Sequence, residues 1–260
     1  MGIKRLIILL VTLLAAAAHT SYAYQIFSNR GTLGGWTAGT RAEHNGKVEQ
    51  VNTASPWSPT SLRMTQVYDY SPSYKNGRYH SEARVASGYR YGDTRYYGFA
   101  FRLAPNWQFT EQSYTLAQFI GNFNGQCGEG YMPSTMIWIV GNRLYTRRKW
   151  GSVCDQHSTT ITTSVTVEPG KWHRIVIQAL WTNDNGGFLK MWYNDKQVVD
   201  RPNVPTTVKE AGPAFEFRVG LYANGWHDDH PMKGNQATRQ VWYSKIAIGT
   251  TMGDVDPKLW

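Results

Sequence analysis

Residues 214–222 alternate cleanly. Phe215, Phe217, Val219 and Leu221 share one parity, and Glu216, Arg218, Gly220 and Tyr222 share the other. A strand sends successive side chains to opposite faces, so this run predicts a strand with one buried face and one polar face. Similar short runs recur at 79–85, 96–103, 115–121, 134–140, 143–150, 160–167, 172–180, 187–193, 197–200 and 240–249. Turn residues separate them: Gly141-Asn142, Glu168-Pro169-Gly170, Asn183-Asp184-Asn185-Gly186 and Asn194-Asp195. The segment 31–61 reads as loop with a few short strands, and no amphipathic helix of useful length is visible. The pattern predicts an all-β protein whose strands pack as two antiparallel sheets or close as a barrel.

The first residues read differently. Lys4 and Arg5 precede an apolar, alanine-rich run from Leu6 to Ala18, and Ser21-Tyr22-Ala23 supplies small residues before a cleavage point. This order is that of a secretory signal peptide, 1–23. Residues 24–260 then form one domain, exported to the extracellular space. The run is too short to span a bilayer comfortably and no later segment approaches it, so no membrane partner is expected. The chain carries a formal charge of +9, of which Lys4 and Arg5 contribute two. A basic secreted protein suits an anionic partner, although charge also serves solubility. Cys127 and Cys154 are the two cysteines, and in an oxidising compartment they read as one disulfide.

The polar faces of three strands carry the candidate chemistry. On 79–85, His80, Glu82 and Arg84 share a face. On 115–121, Gln118 is an amide in an otherwise apolar strand, and an unpartnered buried amide costs about 1–3 kcal/mol. On 214–222, Arg218 and Tyr222 face the same way. If these strands are neighbours, the groups meet in one groove. Each also has a plain structural reading. Tyr222 could be a rim tyrosine stacking on sugar, Arg84 with Glu82 an ion pair, and His80 a satisfied structural histidine.

The motifs carrying these residues have a family resemblance. Tyr79-His80-Ser81-Glu82-Ala83-Arg84, Ala117-Gln118-Phe119-Ile120 and Phe217-Arg218-Val219-Gly220-Leu221-Tyr222 resemble, in order, three motifs of jelly-roll polysaccharide lyases. The strand run 171–199 resembles that of concanavalin-like jelly rolls. The family 7 alginate lyases have Arg where His80 stands and a catalytic His where Ile120 stands, so the similarity favours polysaccharide lyase family 20, the glucuronan lyases. The resemblance implies a concanavalin-like β-jelly roll of two antiparallel sheets and a β-elimination on a 4-linked polyuronate, most simply β-1,4-glucuronan. It implies Tyr222, Gln118, Arg84 and His80 as catalytic residues. Tyr222 would be general base and acid, helped by a cationic neighbour that lowers its pKa, while Gln118 and Arg84 neutralise the substrate carboxylate. Glu82, Arg218, Arg147 and Trp226 are the candidate substrate-binding residues. No catalytic cofactor is expected. A structural Ca²⁺ is, with Asp254 and Asp256 as candidate ligands.

Two other classes stay open at this point. A glycoside hydrolase needs two carboxylates flanking the bond, and Glu82 with Glu216 could supply them. A non-catalytic lectin would need only an aromatic platform. No nucleic-acid motif occurs, so the expected partner is an anionic polysaccharide, bound by a monomer.

Overall fold

The computed structural model describes residues 23–69, 78–209 and 215–260. The expected leader therefore lies outside the described residues, apart from Ala23. The strands form two antiparallel sheets. The first runs, in spatial order, β13 (Lys196–Pro202), β12 (Phe188–Tyr193), β11 (Trp172–Leu180), β6 (Thr94–Leu103), β15 (Thr238–Gly249), β4 (Ser61–Val67) and β3 (Lys47–Val51). β1 (Gln25–Asn29) lies beside the far end of β15. The second runs β10 (Gln156–Thr166), β9 (Arg143–Gly151), β8 (Glu129–Val140), β7 (Ser113–Gln126), β14 (Phe215–Tyr222), β5 (His80–Tyr89) and β2 (Thr40–Ala42). One short helix, α1 (Asn224–Asp228), follows β14.

The predicted parities hold where they matter for the core. Phe215, Phe217, Val219 and Leu221 of β14, and Ala83 and Val85 of β5, are buried between the sheets. Phe119 and Phe217 stack with centroids 5.0 Å apart. Tyr97 from the opposite sheet meets Phe119 edge-on at 4.6 Å. Aromatic pairs in such geometries add roughly 0.5–1.5 kcal/mol each beyond the area they bury. Buried hydroxyls find partners across the sandwich: the Tyr97 hydroxyl donates to the Gly88 carbonyl at 2.9 Å, and that of Tyr243 to the Gly220 carbonyl at 2.7 Å. These bonds tie β5 and β14 to the opposite sheet.

The structure adds to the sequence reading in three places. β1 and β4 are strands that the alternation did not announce. In β4 the polar residues Ser61, Thr65 and Gln66 are buried beside Leu62 and Met64, which erases the pattern. Gln66 spends its amide on the Ser81 hydroxyl at 2.6 Å. α1, just after Tyr222, falls outside the alternating runs and is too short to show a helical period. β7 also continues five residues beyond Gly121, as far as Gln126.

Cys127 and Cys154 are bonded to each other, joining the β7–β8 turn to the β9–β10 turn. Asp254 and Asp256, the candidate calcium ligands, both lie in the C-terminal segment. Asp254 Oδ2 accepts from the backbone N–H groups of Thr250 and Thr251 and from both their hydroxyls. Asp256 Oδ1 accepts from Arg174 at 2.5 Å and from the Lys258 backbone at 3.0 Å. Both carboxylates are thus used in closing the C-terminal segment. Among the described residues no group of three His, Cys, Asp or Glu side chains could hold a metal ion.

Candidate active site

β14 lies between β7 and β5, so the three motif strands are adjacent. In register, Arg218 stands opposite Gln118 of β7 on one side and Arg84 of β5 on the other. Gly220 stands opposite Glu82, and Tyr222 opposite His80. Their shared outward face forms the floor of a cleft of about 470 Å³. Its lining includes His80, Gln118, Arg147, Arg218 and Tyr222 from the sequence reading, together with Arg41, Glu43, Arg78, Tyr131 and Asn224. Thr115 Oγ1 holds Asn224 through its Oδ1 at 2.6 Å.

The charged groups under the floor form one network. Gln118 Nε2 donates to Glu82 Oε1 at 2.5 Å. Arg218 Nη1 donates to Glu82 Oε2 at 3.1 Å, and its Nε to Glu216 Oε2 at 2.8 Å. Glu82 is 2% exposed and does not line the cleft. It therefore holds Gln118 and Arg218 rather than touching a ligand, which corrects its assignment as a substrate-binding residue. Gly220 makes this possible. A Cβ there would lie 2.2 Å from the Ser81 carbonyl oxygen and 3.0 Å from Glu82 Cγ. Arg218 Nη2 is buried, has no hydrogen-bond partner and belongs to a residue lining the cleft. Gln118 keeps a second amide N–H. Together they make a pair of donors suited to a carboxylate.

His80 and Tyr222 meet as a second unit. Their rings are in T-shaped contact, with centroids 3.8 Å apart. Both His80 ring nitrogens are buried and lack a hydrogen-bond partner. Burial holds the His80 pKa below its usual value, against the opposing pull of Glu82 and Glu43. The imidazole is thus neutral at neutral pH. Burial likewise pushes the Tyr222 phenol above its usual value, although nearby Arg78 works in the other direction. Desolvation thus outweighs the lowering by Arg78, and the phenol holds its proton at neutral pH.

Two further placements differ from the sequence reading. Arg84 shares the outward face but does not line the cleft, and its Nε is buried without a partner. The guanidinium beside Gln118 is that of Arg218. Trp226 is fully buried in α1, packed against Tyr79 and Tyr114, with its indole N–H donating to the Tyr114 hydroxyl at 3.1 Å. It cannot meet a substrate. Arg147 does line the cleft and donates to the Pro133 carbonyl at 3.0 Å. The neighbouring Arg148 turns away, its Cζ 4.4 Å from the centre of the Trp150 ring.

The residues missed by the sequence reading had weak signals. Arg41 and Glu43 sit on and just beyond β2, a three-residue edge strand in a stretch that reads as loop. Arg78 lies two residues before the motif strand β5 and pairs with Asp228 at 2.8 Å. Only the sheet order brings them to the cleft.

The floor thus places the amide of Gln118 and the guanidinium of Arg218 beside an imidazole and a phenol in contact. The sequence profile of the polysaccharide lyase family matches residues 28–247. The chain belongs to the polysaccharide lyase family. The lyase is 46% identical to an endo-β-1,4-glucuronan lyase from the fungus Trichoderma reesei, over 91% of this chain and 100% of that one, with a TM-score of 0.86. Two more distant structures share its fold. One is the cellulose-induced protein Cip1, at 15% identity and TM-score 0.51, covering 86% of the lyase and 97% of that protein. The other is a carbohydrate esterase from the Shiga toxin-encoding bacteriophage phi24B, at 10% identity and TM-score 0.51, covering 88% and 99%. No curated protein sequence matches the lyase. It is an enzyme with the two-sheet jelly-roll fold, and its substrate is a polysaccharide.

Proposed function

We propose that the lyase cleaves β-1,4-linked polyglucuronate by syn β-elimination, with His80 as base and Tyr222 as acid. The observation carrying this reading is the ring contact of His80 with Tyr222 in the cleft, beside an Arg218 nitrogen with no hydrogen-bond partner and the second amide N–H of Gln118. In a β-1,4-linked glucuronate, the C5 hydrogen and O4 lie on the same face of the ring. Base and acid must then approach from one side, as adjacent side chains on paired strands do.

The steps follow from the groups present. Gln118 and Arg218 bind the uronate carboxylate and stabilise the negative charge that grows on it as C5 loses its proton. An unpartnered nitrogen of His80 takes that proton. The C5–H electrons form the C4–C5 double bond, the C4–O4 bond breaks, and the Tyr222 hydroxyl protonates O4. One product carries an unsaturated uronate at its non-reducing end, and the other has a new reducing end. The imidazolium and phenolate left behind are in contact, so a proton returns from His80 to Tyr222 and restores the starting state.

The hydrolase alternative fares worse on geometry. Glu82 and Glu216 both grip the guanidinium of Arg218. Two carboxylates tied to one cation, neither of them lining the cleft, do not flank a scissile bond. The cleft's arginines, Arg41, Arg78, Arg147 and Arg218, also favour an anionic polymer over a neutral one. The similarity to a glucuronan lyase supports glucuronan as that polymer. We further propose export of the protein as a monomer. The leader-like sequence and the Cys127–Cys154 disulfide support secretion.

The test is an assay on glucuronan, alginate and a neutral β-1,4-glucan, following ultraviolet absorbance and reducing ends together. Elimination on glucuronan raises both. Reducing ends without absorbance would overturn the elimination, and a preference for alginate would overturn the substrate.

A further inference from the structure

Glu43 is out of place in a cleft for a polyanion. It lines the wall, where a carboxylate repels the substrate, and it sits just beyond the end of the shortest strand in the sheet. Its two oxygens are used differently. Oε1 accepts from Arg41 Nη2. Oε2 is buried, has no hydrogen bond, and lies 3.6 Å from His80 Nδ1. The backbone fixes this approach, since the Glu43 N–H donates to the His80 carbonyl at 2.9 Å. Glu82 Oε2 lies on the same side of the ring, 3.7 Å from Nδ1.

Two carboxylates therefore face one nitrogen of an imidazole whose other nitrogen has no protein partner. Which ring nitrogen carries the proton is set by what the ring can donate to. With only acceptors near Nδ1, the proton belongs there, and the lone pair belongs on Nε2. We infer that Glu43 is a positioning residue for the elimination: it orients His80 through Nδ1 and stabilises the imidazolium formed when Nε2 takes the C5 proton. This rests on the reading of His80 as the base.

The other groups around His80 show why a second carboxylate is needed. Glu82 lies on β5 itself but already serves Gln118 and Arg218. From β14, Arg218 opposes protonation of the ring, and Tyr222 packs against it without charge. From β2, Arg41 opposes it too. Burial disfavours the imidazolium further. Glu43 supplies a negative charge facing His80 from a different strand. A base oriented by a third group is a recurring arrangement in acid–base catalysis, found here on an edge strand.

The test compares Glu43→Gln, His80→Gln and the unaltered enzyme on glucuronan. In Glu43→Gln, kcat should fall about tenfold or more while KM stays level or drops, because a repulsive charge has left the cleft. The acid limb of the kcat profile should move to lower pH, and the His80 resonance in a nitrogen-15 NMR titration should shift the same way. Glu43→Asp should recover part of both. An unmoved limb and an unmoved resonance in folded Glu43→Gln would overturn the inference, whatever happens to kcat. His80→Gln tests the parent reading separately. If it keeps an active enzyme with the same acid limb, His80 is not the base, and Glu43 has no base to position.

Discussion

Tyr222 is withdrawn from water yet still borders the cleft, and this decides its protonation state. A phenol in that setting holds its proton well past neutrality, so it suits proton donation to O4. Tyr222→Phe keeps the ring that packs on His80 and removes only the hydroxyl. Loss of a positioned acid typically costs about 10²–10⁴ in rate. We expect a fall of that size in kcat on glucuronan, with thermal stability unchanged. Full activity in Tyr222→Phe would remove the proposed acid. Arg84 makes a useful control from the same face: Arg84→Gln should leave kcat within a few-fold, because the proposed carboxylate donors are Gln118 and Arg218, and Arg84 does not line the cleft. The motif strands placed all of these residues on one face, and alternation alone licensed that. Alternation could not say which guanidinium would stand beside Gln118, because that depends on register across the β14 pairings.

At the scale of elements, β14 is the strand on which the site depends. Its inner face fills the core with Phe217 and Val219, and its outer face presents Arg218 and Tyr222. Between them, Gly220 lets Glu82 cross beneath the floor. Gly220→Ala would push a methyl group into the Ser81 carbonyl and crowd Glu82. Overpacking of this kind costs typically 1–3 kcal/mol. The expected result is a lower Tm together with weaker glucuronan binding, since displaced Glu82 releases both carboxylate donors. A variant that lost stability but kept its KM would argue that Glu82 does not set the donors. The disulfide acts on other elements, the turns of the β7–β8 and β9–β10 hairpins. Closing a loop of 27 residues is worth about 3–4 kcal/mol in the chain-entropy picture. Replacing both cysteines by serine should lower the unfolding midpoint in urea and leave kcat nearly intact.

For the whole molecule, the pH profile joins the burial of the site to its rate. The imidazole must be neutral to accept the C5 proton, and burial lowers its pKa. Activity should therefore persist below the usual imidazole value of 6.5 and fall at still lower pH as His80 takes a proton. The phenol must be protonated, and burial raises its pKa. No alkaline limb should appear near the usual phenol value of 10.0. Plots of kcat/KM against pH for the free enzyme check both signs. If a Tyr222 phenolate were the base, activity would instead climb through the alkaline range.

The amino-acid sequence by itself determined the β architecture, the two faces of each motif strand and the groups each face would offer. Those are local properties, because a strand's alternation is written every two residues. It did not determine β4, where buried Ser61, Thr65 and Gln66 hide the alternation, or the burial of Trp226, where a five-residue helix carries no readable period. Strand order and register came only with the tertiary structure. They made Arg218 the neighbour of Gln118, left Arg84 outside the cleft, and brought Glu43 from an edge strand to the back of His80. Proton affinities were decided at the same level: desolvation depends on what packs around a side chain, and residues distant in the chain do that packing.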